Sequence, residues 1–95
     1  MFGGQRKLGK ARRRAREQAI FGKLTVSPVK GKRFRITHRN GLTVDFGAWP
    51  VADGTFLDHG DEKKRANWYA RHAAQNPRSI MDPTSPLFYS AHILW

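Results

Sequence analysis

The chain has 95 residues, no cysteine and a formal net charge of +11. These totals allow one small domain at most and exclude disulfide staples and thiolate metal sites; no apolar run approaches the roughly 18 residues of a membrane-spanning helix. The charge is lopsided. Residues 1–40 hold 13 Lys/Arg against one acid, Glu17, and residues 41–95 hold 5 against 6 acids, so the first half calls for an anionic partner.

Met1-Phe2-Gly3-Gly4 carries no pattern. In the segment 5–21, Arg6, Lys7, Lys10, Arg12, Arg13, Arg14 and Arg16 crowd into eleven positions, too charged for a secretory signal. Its residues are good helix formers, and Leu8, Ala11, Ala15 and Ala19 fall at helical spacing. That stripe is mostly alanine and buries little, while neighbouring like charges repel. The expectation is a basic N-terminal arm over 1–22, helical only with outside support, attached to a compact domain over 23–95. Such an arm binds phosphate or another anion by ion pairing and counterion release, without reading sequence.

Gly22 ends the arm. Lys23-Leu24-Thr25-Val26-Ser27 reads as a short strand with Leu24 and Val26 on one face, closed by Pro28, and residues 29–32 as a turn. Two alternating runs follow, 33–38 and 42–47, around Arg39-Asn40-Gly41. A two-residue Asn40-Gly41 loop would set Ile36 against Asp45 and mix charge into the apolar face. A three-residue loop with Gly41 left-handed pairs His38 with Leu42, Ile36 with Val44 and Phe34 with Phe46, leaving Arg35 opposite Asp45 and Thr37 opposite Thr43. A slip of one residue destroys both matches, so the three-residue loop is predicted. Adding the first strand gives a three-stranded antiparallel meander, more stable than a lone hairpin. Lys23, Lys30, Lys32, Arg33, Arg35 and Arg39 are expected on its polar face and rim, with Lys30, Lys32 and Arg33 extending the anion-binding surface of the arm.

The loop 47–57 holds Trp49 and Phe56, expected to pack over the apolar face of the hairpin. Residues 58–75 predict a helix capped by Asp58, with Asp61 and Glu62 in its first turn and Asn76-Pro77 at its end. Trp68 and Tyr69 are its expected lid on the hairpin. After a loop with Ile80 and Met81 as packing contacts, Ser85-Pro86 reads as a cap followed by proline at the first helical position. The last stretch, with Phe88 and Trp95, is apolar nearly all round and must be buried, which tucks in the end of the chain. The fold class expected is α+β: the meander packed by two C-terminal helices, with the basic arm ahead of it.

Four histidines invite a metal or catalytic reading. The run Asp58-His59-Gly60-Asp61-Glu62 is rich in ligands but explains itself as a helix start. There is no HExxH motif and no Gly-rich phosphate loop opening a helix. His72, next to Arg71, is more simply a partly buried helix residue than a phosphate contact. No enzyme activity, cofactor, metal or small-molecule substrate is expected.

Five short motifs nevertheless stand in a recognisable order: Lys32-Arg33-Phe34-Arg35-Ile36, Thr43-Val44-Asp45-Phe46-Gly47, the run from Leu57 to Arg65, Asn67-Trp68-Tyr69-Ala70-Arg71-His72, and Phe88-Tyr89-Ser90 with Ile93-Leu94-Trp95. This order resembles a family of small basic proteins of large double-stranded DNA viruses, the chlorella-virus, iridovirus and mimivirus kind. Its members share a basic strand ending in an apolar-Phe-Gly step, an acidic-then-basic helix ending in Arg-His, and a closing Leu-Trp. The likeness covers residues 32–95. Trp68-Tyr69 stands where that family has Tyr beside an aliphatic residue, and the arm lies outside the match.

The resemblance implies a non-enzymatic, virion-associated protein. The expectation is a minor capsid-associated protein that cements larger capsid proteins and lays its Arg-rich arm on an acidic surface. It would be found in the virion, and in host cytoplasm or nucleus during assembly. The alternative is a DNA-condensing protein using residues 5–21. Attachment to an anionic membrane is less favoured, because residues 1–21 lack a bulky apolar face.

Overall fold

The computed structural model describes residues 6–51 and 53–95. Residues 1–5, the first five of the expected arm, lie outside the described residues, as does Ala52.

The hairpin pairs as its alternation demands. Strands β2 (Lys32–Thr37) and β3 (Thr43–Ala48) run antiparallel with Phe34 opposite Phe46, Ile36 opposite Val44, Arg35 opposite Asp45 and Thr37 opposite Thr43. The Gly41 N–H donates to the His38 carbonyl at 2.9 Å, and the His38 N–H donates to the Leu42 carbonyl at 2.8 Å. Gly41 sits at φ +90°, which a Cβ would strain, and this is what selects the three-residue loop. Strand β1 (Lys23–Val26) joins the other edge of β2, with Leu24 opposite Ile36 and Val26 opposite Phe34, in the order β1-β2-β3.

Helices complete an α+β domain. They are α1 (Leu8–Glu17), the single turn α2 (Phe56–His59), α3 (Glu62–Gln75) and α4 (Pro86–Tyr89), the last running on as a π-turn over Ser90–Leu94. Ser85 caps α4, accepting from the Leu87 N–H at 3.2 Å, with Pro86 at the first helical position as expected.

What covers the sheet differs from expectation. Phe34, Ile36, Val44 and Phe46 are buried with Ala11 and Ala15 of α1, Leu57 of α2, and Tyr89, Ile93 and Leu94 of the C-terminal helix, with Phe88 and Trp95 packed alongside. Trp68 is no lid on the hairpin. It is buried in a smaller cluster with Ile80 and Ala91, flanked by Tyr69, Leu87 and Trp95, while Met81 is exposed. The C-terminal stretch is apolar on all sides and α3 is not, so the former displaces the latter from the sheet. Trp49 and Phe56 belong to neither cluster and pack against guanidinium groups instead.

Helix α1 is likewise no detached arm. Ala11 is 0% exposed and shares one core with the sheet, so the boundary at residue 22 marks a change of composition and not of structure. Each alanine buries little area, but its small side chain lets the α1 backbone approach β1 and the C-terminal helix closely. Asp58 does not cap α3 either. Gly60, at φ +65°, separates α2 from α3, and Asp61 is the cap, accepting from the N–H groups of Lys63 at 3.0 Å and Lys64 at 3.2 Å.

Candidate functional site

The cations of the chain, those expected to bind an anion among them, divide into two groups. Arg33 departs furthest from expectation: it is 0% exposed and lies on no solvated face. Its Nη1 and Nη2 donate to the two carboxylate oxygens of Asp58, both at 2.8 Å, and its Nε and Nη2 donate to the Arg6 carbonyl at 3.1 and 2.8 Å. Asp58 also accepts from the Thr55 N–H at 2.8 Å and the Thr55 hydroxyl at 3.1 Å. Burial pushes the Asp58 carboxyl up. The bonds from Arg33 and the Thr55 N–H, with the Arg33 charge, outweigh that and hold it at about 2, below its ordinary 3.8. Thr55 and Asp58 have the spacing of a capping box, the one sequence signal that Asp58 belongs to a turn ahead of α3.

Most of the basic segment is occupied in the same way. Arg6 donates to the carbonyls of Lys32 and Arg33 at 3.0 and 2.9 Å, and its guanidinium lies 5.0 Å from the Trp49 ring centre. Lys7 reaches Asp58, with Nζ 3.8 Å from the carboxylate. Lys10 donates to the Leu57 carbonyl at 2.7 Å, Arg12 to that of Leu24 at 3.0 Å and Arg14 to that of His92 at 3.2 Å. Through Arg12, the segment closes a carbonyl of the edge strand that would otherwise invite another chain. Arg14 and Arg65 approach the Phe56 ring to 5.4 and 4.9 Å, and burial, then the Arg65 charge, lowers the Arg14 pKa.

The second group is uncommitted. Arg13 and Arg16 on α1, Lys23 and Arg39 at one end of the sheet, Lys30 in the turn at the other, Lys63 and Arg71 on α3, and Arg78 beyond it are exposed; among the described residues they make no side-chain hydrogen bond or ion pair. The side chain of Lys32 is exposed as well. Arg35 is held at the sheet face by Asp45, with two bonds of 3.0 Å, and Asp45 also accepts from the Ser27 hydroxyl at 2.6 Å. The hydrogen bonds from Arg35 depress the Asp45 pKa.

The histidines are placed by packing. His38 bonds the Tyr89 hydroxyl at 2.8 Å, and His72 stacks on Trp68 at 4.1 Å between ring centres. Among the described residues no group of three or more His, Asp or Glu is placed to hold a metal, and no helix is long and apolar enough to cross a membrane.

Several concavities mark the surface of the described residues. A groove of about 900 Å³ at the hairpin end runs between Phe21, Leu42, Lys23, Arg39 and the loop at Pro83, with Phe21 85% exposed. A second, of about 430 Å³, opens between α3 and the loop after β3.

Fold and site together define a small α+β domain whose basic leader is folded onto it, leaving a separate set of cations facing outward. Residues 22–72 match the model of a family of unknown function, DUF5754, and the chain belongs to that family. The match takes in the sheet, the Arg33–Asp58 pair and most of α3; the residues of α1 and the C-terminal helix that cover the sheet lie outside it. No curated protein and no solved structure matches the chain.

Proposed function

We propose that this chain is a minor structural protein of a large double-stranded DNA virus particle, non-enzymatic, set between larger capsid proteins and held to them by charge. The observation that carries contact by charge is where the uncommitted cations stand: on α1, at both ends of the sheet and on α3. A duplex-binding domain gathers its basic residues into one stripe or patch. Cations spread over several sides suit a small wedge with acidic neighbours around it. The groove beside Phe21, with Lys23 and Arg39 in its wall, offers such a neighbour an apolar anchor point flanked by positive charge. The order of short motifs over residues 32–95 supports the viral setting.

The second reading, a DNA-condensing protein, is favoured by Arg13 and Arg16, which are exposed on α1 and have no side-chain partner among the described residues. Fractionating purified particles tests the two. The structural reading expects the chain in empty shells as well as full ones. Its presence only in DNA-containing cores would overturn that reading and leave the condensing one.

A further inference from the structure

The 430 Å³ cavity lies within the usual range of small-molecule sites, roughly 300–1,000 Å³, and its lining is chemically one-sided. Lys64, Asn67 and Arg71 stand at i, i+3 and i+7 of α3, one helical face spanning about 10 Å of axis. The loop after β3 contributes Val51, Asp53 and Gly54, and Trp68 and Trp95, stacked at 5.4 Å, form an aromatic wall.

His59 also lines the cavity. Its Nδ1 accepts the Asp61 N–H at 2.9 Å, which leaves the ring proton on Nε2. That Nε2 is buried and has no hydrogen-bond partner among the described residues. Buried polar atoms nearly always find one, and the Trp95 ring, 5.6 Å from that of His59, is a weak substitute for an acceptor. Among the described residues, two cations and an amide thus line the cavity with a single carboxylate side chain, Asp53. Such a lining suits an acceptor-rich anion.

We propose that this cavity binds a sugar phosphate. Lys64, Asn67 and Arg71 take the phosphate oxygens by charge-assisted hydrogen bonds. Asp53, the wrong charge for a phosphate, accepts from the sugar hydroxyls. Trp95, the partly exposed ring of the stacked pair, packs against the C–H face of the sugar, with Trp68 behind it. Nothing in this requires the capsid reading, and the ligand is held without chemistry being done on it.

The test is an NMR titration of the full chain with ribose 5-phosphate, inorganic phosphate and ribose, read at the three tryptophan indole N–H signals. Ribose 5-phosphate is expected to give saturable shifts at Trp68 and Trp95 and none at Trp49, which does not line the cavity. Inorganic phosphate should bind more weakly and ribose not at all. Lys64 and Arg71 are exposed, so Lys64→Gln and Arg71→Gln keep the fold, and each should weaken binding at least tenfold. Asp53→Asn should weaken ribose 5-phosphate and spare inorganic phosphate. The double variant Arg13→Gln/Arg16→Gln, which bears on the capsid and DNA readings, should change nothing here. Shifts that do not saturate, that appear equally at Trp49, or that survive Arg71→Gln would mean only general screening of a cationic surface and would overturn the site. Equal affinity for the two phosphates would remove the sugar and overturn the ligand class.

Discussion

The Arg33 guanidinium meets both carboxylate oxygens of Asp58 at 2.8 Å, with both side chains 0% exposed, and the same guanidinium binds the Arg6 carbonyl. One buried pair therefore ties β2 to α2 and to the residues ahead of α1. Such a pair is no proof of stability by itself, because desolvation offsets most of its attraction. Removing one partner is another matter, since it strands the other charge.

Asp58→Ala is accordingly expected to cost about 3–5 kcal/mol, a large share of the roughly 5–15 kcal/mol typical of a domain. Asp45→Ala, which breaks the partly exposed pair with Arg35, should cost about 1 kcal/mol or less. Urea unfolding of the two variants side by side checks this, and equal losses would show that burial of the Arg33 pair carries no special weight.

Acid should act through the same carboxylate. The folded-state value of Asp58, about 2, lies below its ordinary 3.8, so its contribution is fully present above that ordinary value and is lost as pH falls through the folded one. The loss is on the order of 2 kcal/mol, and Asp45, also depressed, adds in the same direction. Urea midpoints should be flat above about pH 5 and fall between about pH 4 and 2. A midpoint that holds steady down to pH 2 would contradict the pairing.

Truncation separates a tail from a structural helix. Deleting residues 1–17 removes Ala11 and Ala15 from the core, and Ala11→Asp puts an unpaired carboxylate at a 0% exposed site. Both should lower the melting temperature sharply and speed amide exchange in β1–β3, with a loss of about 3 kcal/mol or more for the point variant. A detached arm would leave both measurements unchanged.

DNA affinity offers a numerical check. Of the seven basic residues in 6–16, only Arg13 and Arg16 have no side-chain partner among the described residues, since the others hold carbonyls, rings or Asp58. Two phosphate contacts predict a slope of log K against log salt of about −2 on duplex DNA, whereas release of the whole segment predicts about −6. A measured slope near the steeper figure would mean that α1 lifts off the sheet to bind.

Phe21→Ser should leave stability within about 0.5 kcal/mol, because the ring is 85% exposed, while weakening association with a protein neighbour seated in the groove. Urea unfolding and sedimentation with isolated capsid proteins measure the two effects.

What could be read in advance was local. Alternation at period two and a glycine suited to φ > 0 determined the 33–47 hairpin down to its residue pairs, since every other register mixes Asp45 into the apolar face. Ser85-Pro86 and the unbroken apolarity after it determined a buried closing helix. The composition also set the sign of the surface.

Tertiary structure alone decided the competitions. Whether Trp68 or the 86–94 stretch covers the sheet depends on which apolar surface wins a shared site, and periodicity is silent on that. Arg33 and Arg35 alternate on one strand and look alike in sequence, yet the first is buried against Asp58 of a distant turn and the second stays at the surface with Asp45. The basic leader became part of the fold because carbonyls of β1, β2, α2 and the C-terminal helix lay within reach of its side chains. A charge shows in the sequence. For the basic leader, the groups that hold it lie 12 to 78 residues further along the chain and are set only when the chain closes on itself.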